Sequence, residues 1–311
     1  MSDAVIETEG LTRYFGRKAA VEQLSLSVPR GGVFAFLGRN GSGKTTTIRI
    51  LMGMLDATRG SARVLGHDSA NLSPQVRSRI GYLAEGHHVY GWMRVQQCAE
   101  FQAAGYDHWN WEIFRAVIEH FGLDVKARAR YLSRGERAGL CLALTLAPEP
   151  QLLILDDPAL GLDPVARRSL LEAMVFVTRG EDRTILFSSH LLSDVERVAD
   201  RIAIIDRGIL RACCTVEDFR RRLGQWVLRF DSKVAKRPDL SQIAGLVNAT
   251  SVDNEWHVTV ANPDEQTEST LSQLGPTSLQ KASLNLEDAV IHYLGERGRS
   301  SLLIQTVGGD T

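Results

Sequence analysis

An α/β fold with a parallel sheet at its centre is predicted by three features of this 311-residue sequence. The runs LILD (153–156) and TILFSS (Thr184–Ser189) read as short strands buried on both faces. Segments of helical periodicity separate such runs. A glycine-rich turn, GRNGSGKT (38–45), directly follows the apolar run VFAFL and directly precedes a helical pattern.

In chain order, strands are expected at 24–28 and 33–37, and the helix after the glycine-rich turn over 44–54. From about 90 to 147 the pattern is helical without convincing strands, an inserted helical subdomain. The LILD strand follows, then a helix over Pro164–Thr178, the TILFSS strand, a helix over 192–199 and a strand at 202–205. SDVE (193–196) and TVED (215–218) both have capping-box spacing, which predicts helix starts there. Alternation returns in WVLRF and WHVTV, followed by the amphipathic LEDAVIHYL. The expected division is therefore a main domain at 1–222, a small α/β appendage at 223–295 and a loosely held tail at 296–311.

Composition narrows the function. With 44% hydrophobic and 23% charged residues the chain is globular. Its 36 Lys and Arg balance 37 Asp and Glu, so no global positive field draws it to nucleic acid or anionic lipid. The basic residues at 220–222, with Lys126, Arg128 and Arg130, read as solvated faces. Cys98, Cys141, Cys213 and Cys214 lack metal or redox spacing and read as reduced packing residues. His87 and His88 have no metal-ligand spacing either. No signal-peptide pattern and no uncharged stretch of about 18 residues occurs. The expectation is a cytoplasmic protein that serves a membrane only by docking to it.

The strongest chemical signal is the loop of Gly38, Arg39, Asn40, Gly41, Ser42, Gly43, Lys44 and Thr45, which fits GxxxxGK[ST]. Its glycines let successive backbone N–H groups turn toward phosphate oxygens, and the helix N-terminus adds a positive dipole end. Lys44 is expected at the β- and γ-phosphates, and Thr45 at Mg²⁺, with Thr46 on the same turn. A strand lying beside this loop could deliver Asp156, at the end of LLILDD, to the magnesium shell. Without the loop, the acidic pair would read equally well as helix-capping or turn chemistry.

LSRGE (132–136) precedes that strand and opens a helical run, and here the chain resembles an ATP-binding cassette (ABC) ATPase. Leu132, Ser133 and Gly135 match the family's LSGGQ signature, while Arg134 and Glu136 depart from it. The resemblance implies that Ser133, Gly135 and Glu136 complete the ATP site of a second subunit. It also implies that Asp163, in GLD, communicates across the dimer and that His190 senses the γ-phosphate. Phe15 stands where the family stacks an aromatic on adenine, with Tyr14 beside it. The resemblance covers about the first 222 residues.

Two further departures bear on the chemistry. Glu85 stands where the family has a glutamine that ligands Mg²⁺ and contacts the membrane partner; a carboxylate still ligates, but adds negative charge beside a triphosphate. Asp157 stands where the family uses a glutamate to polarise water, and removing a methylene retracts the carboxylate by roughly an ångström. It reads either as a retracted working base or as a placeholder. Trp92 is either core or part of the surface that meets the membrane partner.

The reading that follows is an ATP- and Mg²⁺-dependent ATPase subunit of an ABC transporter, dimeric with itself or a related chain. It would sit on the inner face of the cell membrane through a separate permease. A single cassette with a short appendage resembles exporter ATPases. The rival readings are an ABC-family switch on ribosomes or DNA, and an unrelated GTPase or kinase. Neither a second cassette nor an NKxD motif is present to favour them.

Overall fold

The computed structural model describes residues 3–178, 183–231 and 238–294. The tail expected at 296–311 lies outside the described residues. The chain begins with strands β1 (Ala4–Phe15), β2 (Lys18–Pro29) and β3 (Gly32–Leu37), then helix α1 (Lys44–Leu51), strands β4 (Arg59–Val64) and β5 (His67–Asp68), helix α2 (Pro74–Arg77) and strand β6 (Ile80–Leu83). Helices α3 (Val95–Ala103), α4 (Trp111–His120) and α5 (Arg134–Leu146) follow. Next come β7 (Leu152–Leu155), α6 (Pro164–Thr178), β8 (Thr184–Ser189), α7 (Leu192–Val198), β9 (Arg201–Asp206) and β10 (Ile209–Thr215). The remainder holds α8 (Val216–Arg221), β11 (Leu223–Arg229), β12 (Leu246–Val252), β13 (Glu255–Ala261), α9 (Glu265–Gln273), β14 (Ser278–Ala282) and α10 (Leu286–Leu294).

Six strands form one sheet in the order β10-β9-β3-β8-β7-β6, in which β3 pairs with β8 and β9, and β7 with β8 and β6, all in parallel. Its central strands are buried along their length, as continuous apolar runs require. A four-stranded sheet, β2-β1-β4-β5, is antiparallel, and of it the sequence reading expects only the 24–28 segment of β2. Ile6, Leu11 and Val28 of that sheet share one core with Phe36, Ile48, Leu51 and Ile154. Each such side chain withdrawn from water contributes about 1.5–3 kcal/mol.

The insert between β6 and β7 is helical, with Val95, Phe114, Ile118 and Leu140 in a core of its own. Helix α1 ends at Leu51 rather than at residue 54, because Met52 closes it with its N–H on the Ile48 carbonyl and Gly53 turns the chain at φ 63°. The helix predicted over 192–199 forms, but the capping box predicted at Ser193 does not: the N-cap is Leu191, without a side-chain cap. Helix α7 begins at Leu192, inside the same turn as the Ser189 hydroxyl that accepts from the Leu191 N–H. The predicted cap at Thr215 does form, its hydroxyl accepting from the Asp218 N–H.

Two compact units divide between Cys213 and Cys214. The second unit is a four-stranded antiparallel sheet, β12-β13-β11-β14, with Trp226, Leu228, Val258 and Leu271 at its centre. It also takes in α8, whose Phe219 ring meets Tyr293 of α10 edge-on at 5.7 Å. The four cysteines are free thiols, and burial pushes Cys141 up to about 12.

Candidate active site

Strands β3, β8, β7 and β6 lie side by side and end on one edge of the sheet, so the residues just beyond them converge. Beyond β3 comes the glycine loop. The Ser42 N–H donates to the Arg39 carbonyl at 3.1 Å, and the Gly208 N–H to the Ser42 carbonyl at 2.8 Å, which pins the back of the loop. Gly43 has φ 111°, and a Cβ there would lie 2.4 Å from the Ala20 carbonyl, so only glycine passes.

Lys44, the first residue of α1, is 7% exposed, and its Nζ donates to the carbonyls of Gly38 at 2.6 Å and Arg39 at 3.3 Å. Burial lowers the pKa of its ammonium, while Asp157, Asp156 and Glu85 oppose that shift. The Ser42 hydroxyl is buried without a hydrogen-bond partner, an orphan polar atom inside the loop.

Beyond β7 stand Asp156 and Asp157, 1% and 8% exposed. The strand carrying them is not beside the glycine loop as expected; β8 lies between, and Ser188 of β8 bridges the gap. Its hydroxyl donates to Asp156 Oδ1 at 2.8 Å and accepts from the Asp157 N–H at 2.8 Å. Thr45 Oγ1 donates to the same Asp156 oxygen at 3.2 Å. Asp157 has a left-handed backbone, φ 44°, and its carboxylate pairs with His190 Nδ1 at 2.8 Å.

These groups surround a cleft of about 430 Å³, lined by Phe15, Lys18, Ala20, Asn40, Gly41, Gly43, Lys44, Thr45, Thr46, Glu85, Asp156, Asp157 and Leu160. Phe15 is half exposed, with the Arg13 guanidinium 4.9 Å from its ring centroid. The Thr45 hydroxyl and Asp156 carboxylate present hard oxygen donors side by side, a set suited to a small divalent cation that keeps other positions for phosphate and water.

Ser133, Gly135, Glu136 and Asp163 do not line this cleft. Ser133 caps α5: its hydroxyl accepts from the Glu136 N–H at 3.2 Å and the Glu136 carboxylate accepts from the Ser133 N–H at 2.7 Å. A Cβ on Gly135 would lie 2.6 Å from that of Ala166, so this glycine lets α5 approach α6. Arg134 reaches the Gly161 carbonyl at 3.5 Å. Asp163 caps α6 by accepting from the N–H groups of Val165 and Ala166, and these bonds, led by Ala166, hold its carboxyl below the usual range.

Sequence reasoning missed Ser188, Lys18, Ala20 and Leu160. The serine had a signal, since SS ends an otherwise apolar buried strand. The other three reach the cleft only through tertiary structure.

Residues 21–160 match a family model described as ABC transporter. The daunorubicin/doxorubicin resistance ATP-binding protein DrrA of Streptomyces peucetius is 38% identical over 234 residues, 72% of this chain and 69% of that protein. The chain belongs to the ABC transporter family. The bacitracin transport ATP-binding protein BcrA of Bacillus licheniformis is 32% identical over 66% of this chain and 68% of its own. A solved ATP-binding subunit of an ABC transporter superposes with a TM-score of 0.63 at 27% identity, covering 70% of this chain and 92% of the other.

As an ABC ATP-binding subunit the chain binds ATP and hydrolyses it to drive transport. Subunits of this kind work as dimers with a membrane permease. No helix among the described residues is long and apolar enough to cross a membrane.

Proposed function

We propose that this ABC ATPase serves an exporter, binding Mg-ATP in the cleft between Lys44 and Asp156 and hydrolysing it with Asp157 as the base. The observation that carries this reading is the convergence of Lys44, Thr45, Asp156, Asp157 and His190 on one edge of the parallel sheet. Lys44 exchanges its bonds to the Gly38 and Arg39 carbonyls for β- and γ-phosphate oxygens. Backbone N–H groups of the loop hold the phosphates, and Phe15 stacks on adenine. Thr45 and Asp156, joined by Glu85, would hold Mg²⁺, which when bound would neutralise phosphate charge. Asp157 takes the proton of the attacking water, while His190, bonded to its carboxylate, contacts the γ-phosphate.

A second copy, or a related subunit, supplies Ser133, Gly135 and Glu136 to close the site, and Asp163 lies at the same interface. The permease docks on the segment that follows Glu85, where the exposed Tyr90 and Phe101 line a groove of about 390 Å³ and the exposed Trp92 ring lies 6.2 Å from that of Tyr90. Exposure of Trp92 removes core packing as its role. Drug resistance in the name of DrrA and bacitracin transport in that of BcrA support export as the direction, and docking on a permease sets the chain on the cytoplasmic face of the membrane. ATP binding by Lys44→Ala tests the site. Loss of a charge-assisted contact of about 1.5–3 kcal/mol weakens affinity roughly ten- to hundredfold, and unchanged affinity would remove the assignment.

A further inference from the structure

His87 lies in the loop between β6 and α3, where its neighbours Glu85, Gly86 and His88 are exposed. It alone among these turns inward, at 5% exposure, and holds a left-handed backbone at φ 51°. That conformation is uncommon for a residue with a Cβ, and histidine adopts it more readily than most. Turned inward, His87 places Nε2 2.8 Å from the Pro158 carbonyl oxygen. A carbonyl only accepts, so Nε2 carries the proton.

Pro158 is itself buried and directly follows Asp157. Asp157 is thereby fixed from both sides, its N–H on Ser188 Oγ and the next carbonyl under His87. The loop is tied at its other end too, where the Leu83 carbonyl accepts from the Asp156 N–H at 2.8 Å.

We propose that His87 is a positioning residue for ATP hydrolysis, holding the Pro158 carbonyl and with it the left-handed backbone that aims the Asp157 carboxylate. The proposal rests on Asp157 being the base. With one methylene fewer than glutamate, Asp157 has less side-chain freedom to absorb a shift of its backbone, and a displacement of about an ångström is enough to slow a proton transfer severely. The same loop carries Glu85, so a partner that moves the loop moves the strut.

The test is steady-state ATP hydrolysis by the full chain with single and double variants. His87→Leu is expected to lower kcat about tenfold or more with KM for ATP unchanged. His87→Gln places an amide nitrogen near the Nε2 position and restores most of the rate. His87→Asn, whose nitrogen falls at the Nδ1 position, does not. If His87→Leu does not fold, the Gln and Asn pair decides in the same way.

The double variant His87→Leu/Asp157→Asn is expected to be no slower than Asp157→Asn alone, because the strut acts only through that carboxylate. A wild-type kcat in His87→Leu or His87→Asn, or multiplicative losses in the double variant, overturns the proposal while leaving Asp157 as base. A wild-type rate in Asp157→Asn instead overturns the base assignment and the strut with it.

Discussion

Aspartate at 157 is explained by the backbone as much as by the chemistry. At φ 44° it occupies the left-handed region, which short polar residues such as Asp and Asn tolerate better than longer ones. Asp157→Asn therefore keeps the backbone and removes only the base. It is expected to lower single-turnover hydrolysis roughly 10²–10⁴-fold with ATP affinity unchanged, and equal rates would show that Asp157 holds a place rather than a proton. Asp157→Glu is expected to keep or raise turnover, since the longer chain reaches further, and to melt at a lower temperature than the wild type because glutamate fits that backbone less well. The phosphate loop and the Asp pair were legible because each is a contiguous motif. Ser188 and His87 were not, because their partners Asp156, Asp157 and Pro158 are distant in sequence.

Helix ends carry the next level of organisation. Ser133 and Asp163 were singled out for a dimer interface, yet within one copy each already caps a helix. Ser133→Ala is thus expected to cost about 1 kcal/mol of stability in urea unfolding of the nucleotide-free monomer, before any dimer is assayed. Gly135 faces a similar double duty, since a larger residue forces α5 away from α6.

The Asp163 cap also sets a pH dependence. Its carboxyl is held below the unfolded value by hydrogen bonds from backbone N–H groups, so its stabilisation is complete above the unfolded carboxylate pKa and is lost as pH falls through the folded one. Asp163→Asn, which still accepts those bonds, is expected to lessen the fall in stability on acidification. An acid limb identical to the wild type, followed by thermal melting at successive pH values, would contradict this. Outside the 24–28 segment, the antiparallel sheet escaped sequence reading for a related local reason. Repeated register shifts along β1 against β2 break the alternation that marks a half-buried strand. SDVE, by contrast, had the right letters at 193–196, but the turn after Ser189 had already started the helix.

At the scale of the molecule, the expected boundary at 222 followed the return of strand alternation, whereas contacts such as Phe219 with Tyr293 draw α8 into the second unit. Side-chain periodicity shows where strands resume; it does not show which core a six-residue helix joins. Charge governs the larger assembly. Glu85, Asp156 and Asp157 face the cleft with Lys44, and a triphosphate adds further negative charge there. Closing a dimer over that site without a cation would bury like charges together, so ATP with EDTA is expected to leave the protein monomeric. Mg-ATP with Asp157→Asn is expected to give the highest dimer fraction, because one carboxylate has gone and the bound nucleotide is not consumed. Sedimentation at several protein concentrations measures this. Monomers with Mg-ATP at every concentration, with the permease also present, would rule out the closed dimer, and equal dimerisation in EDTA would rule out the cation's part in closing it.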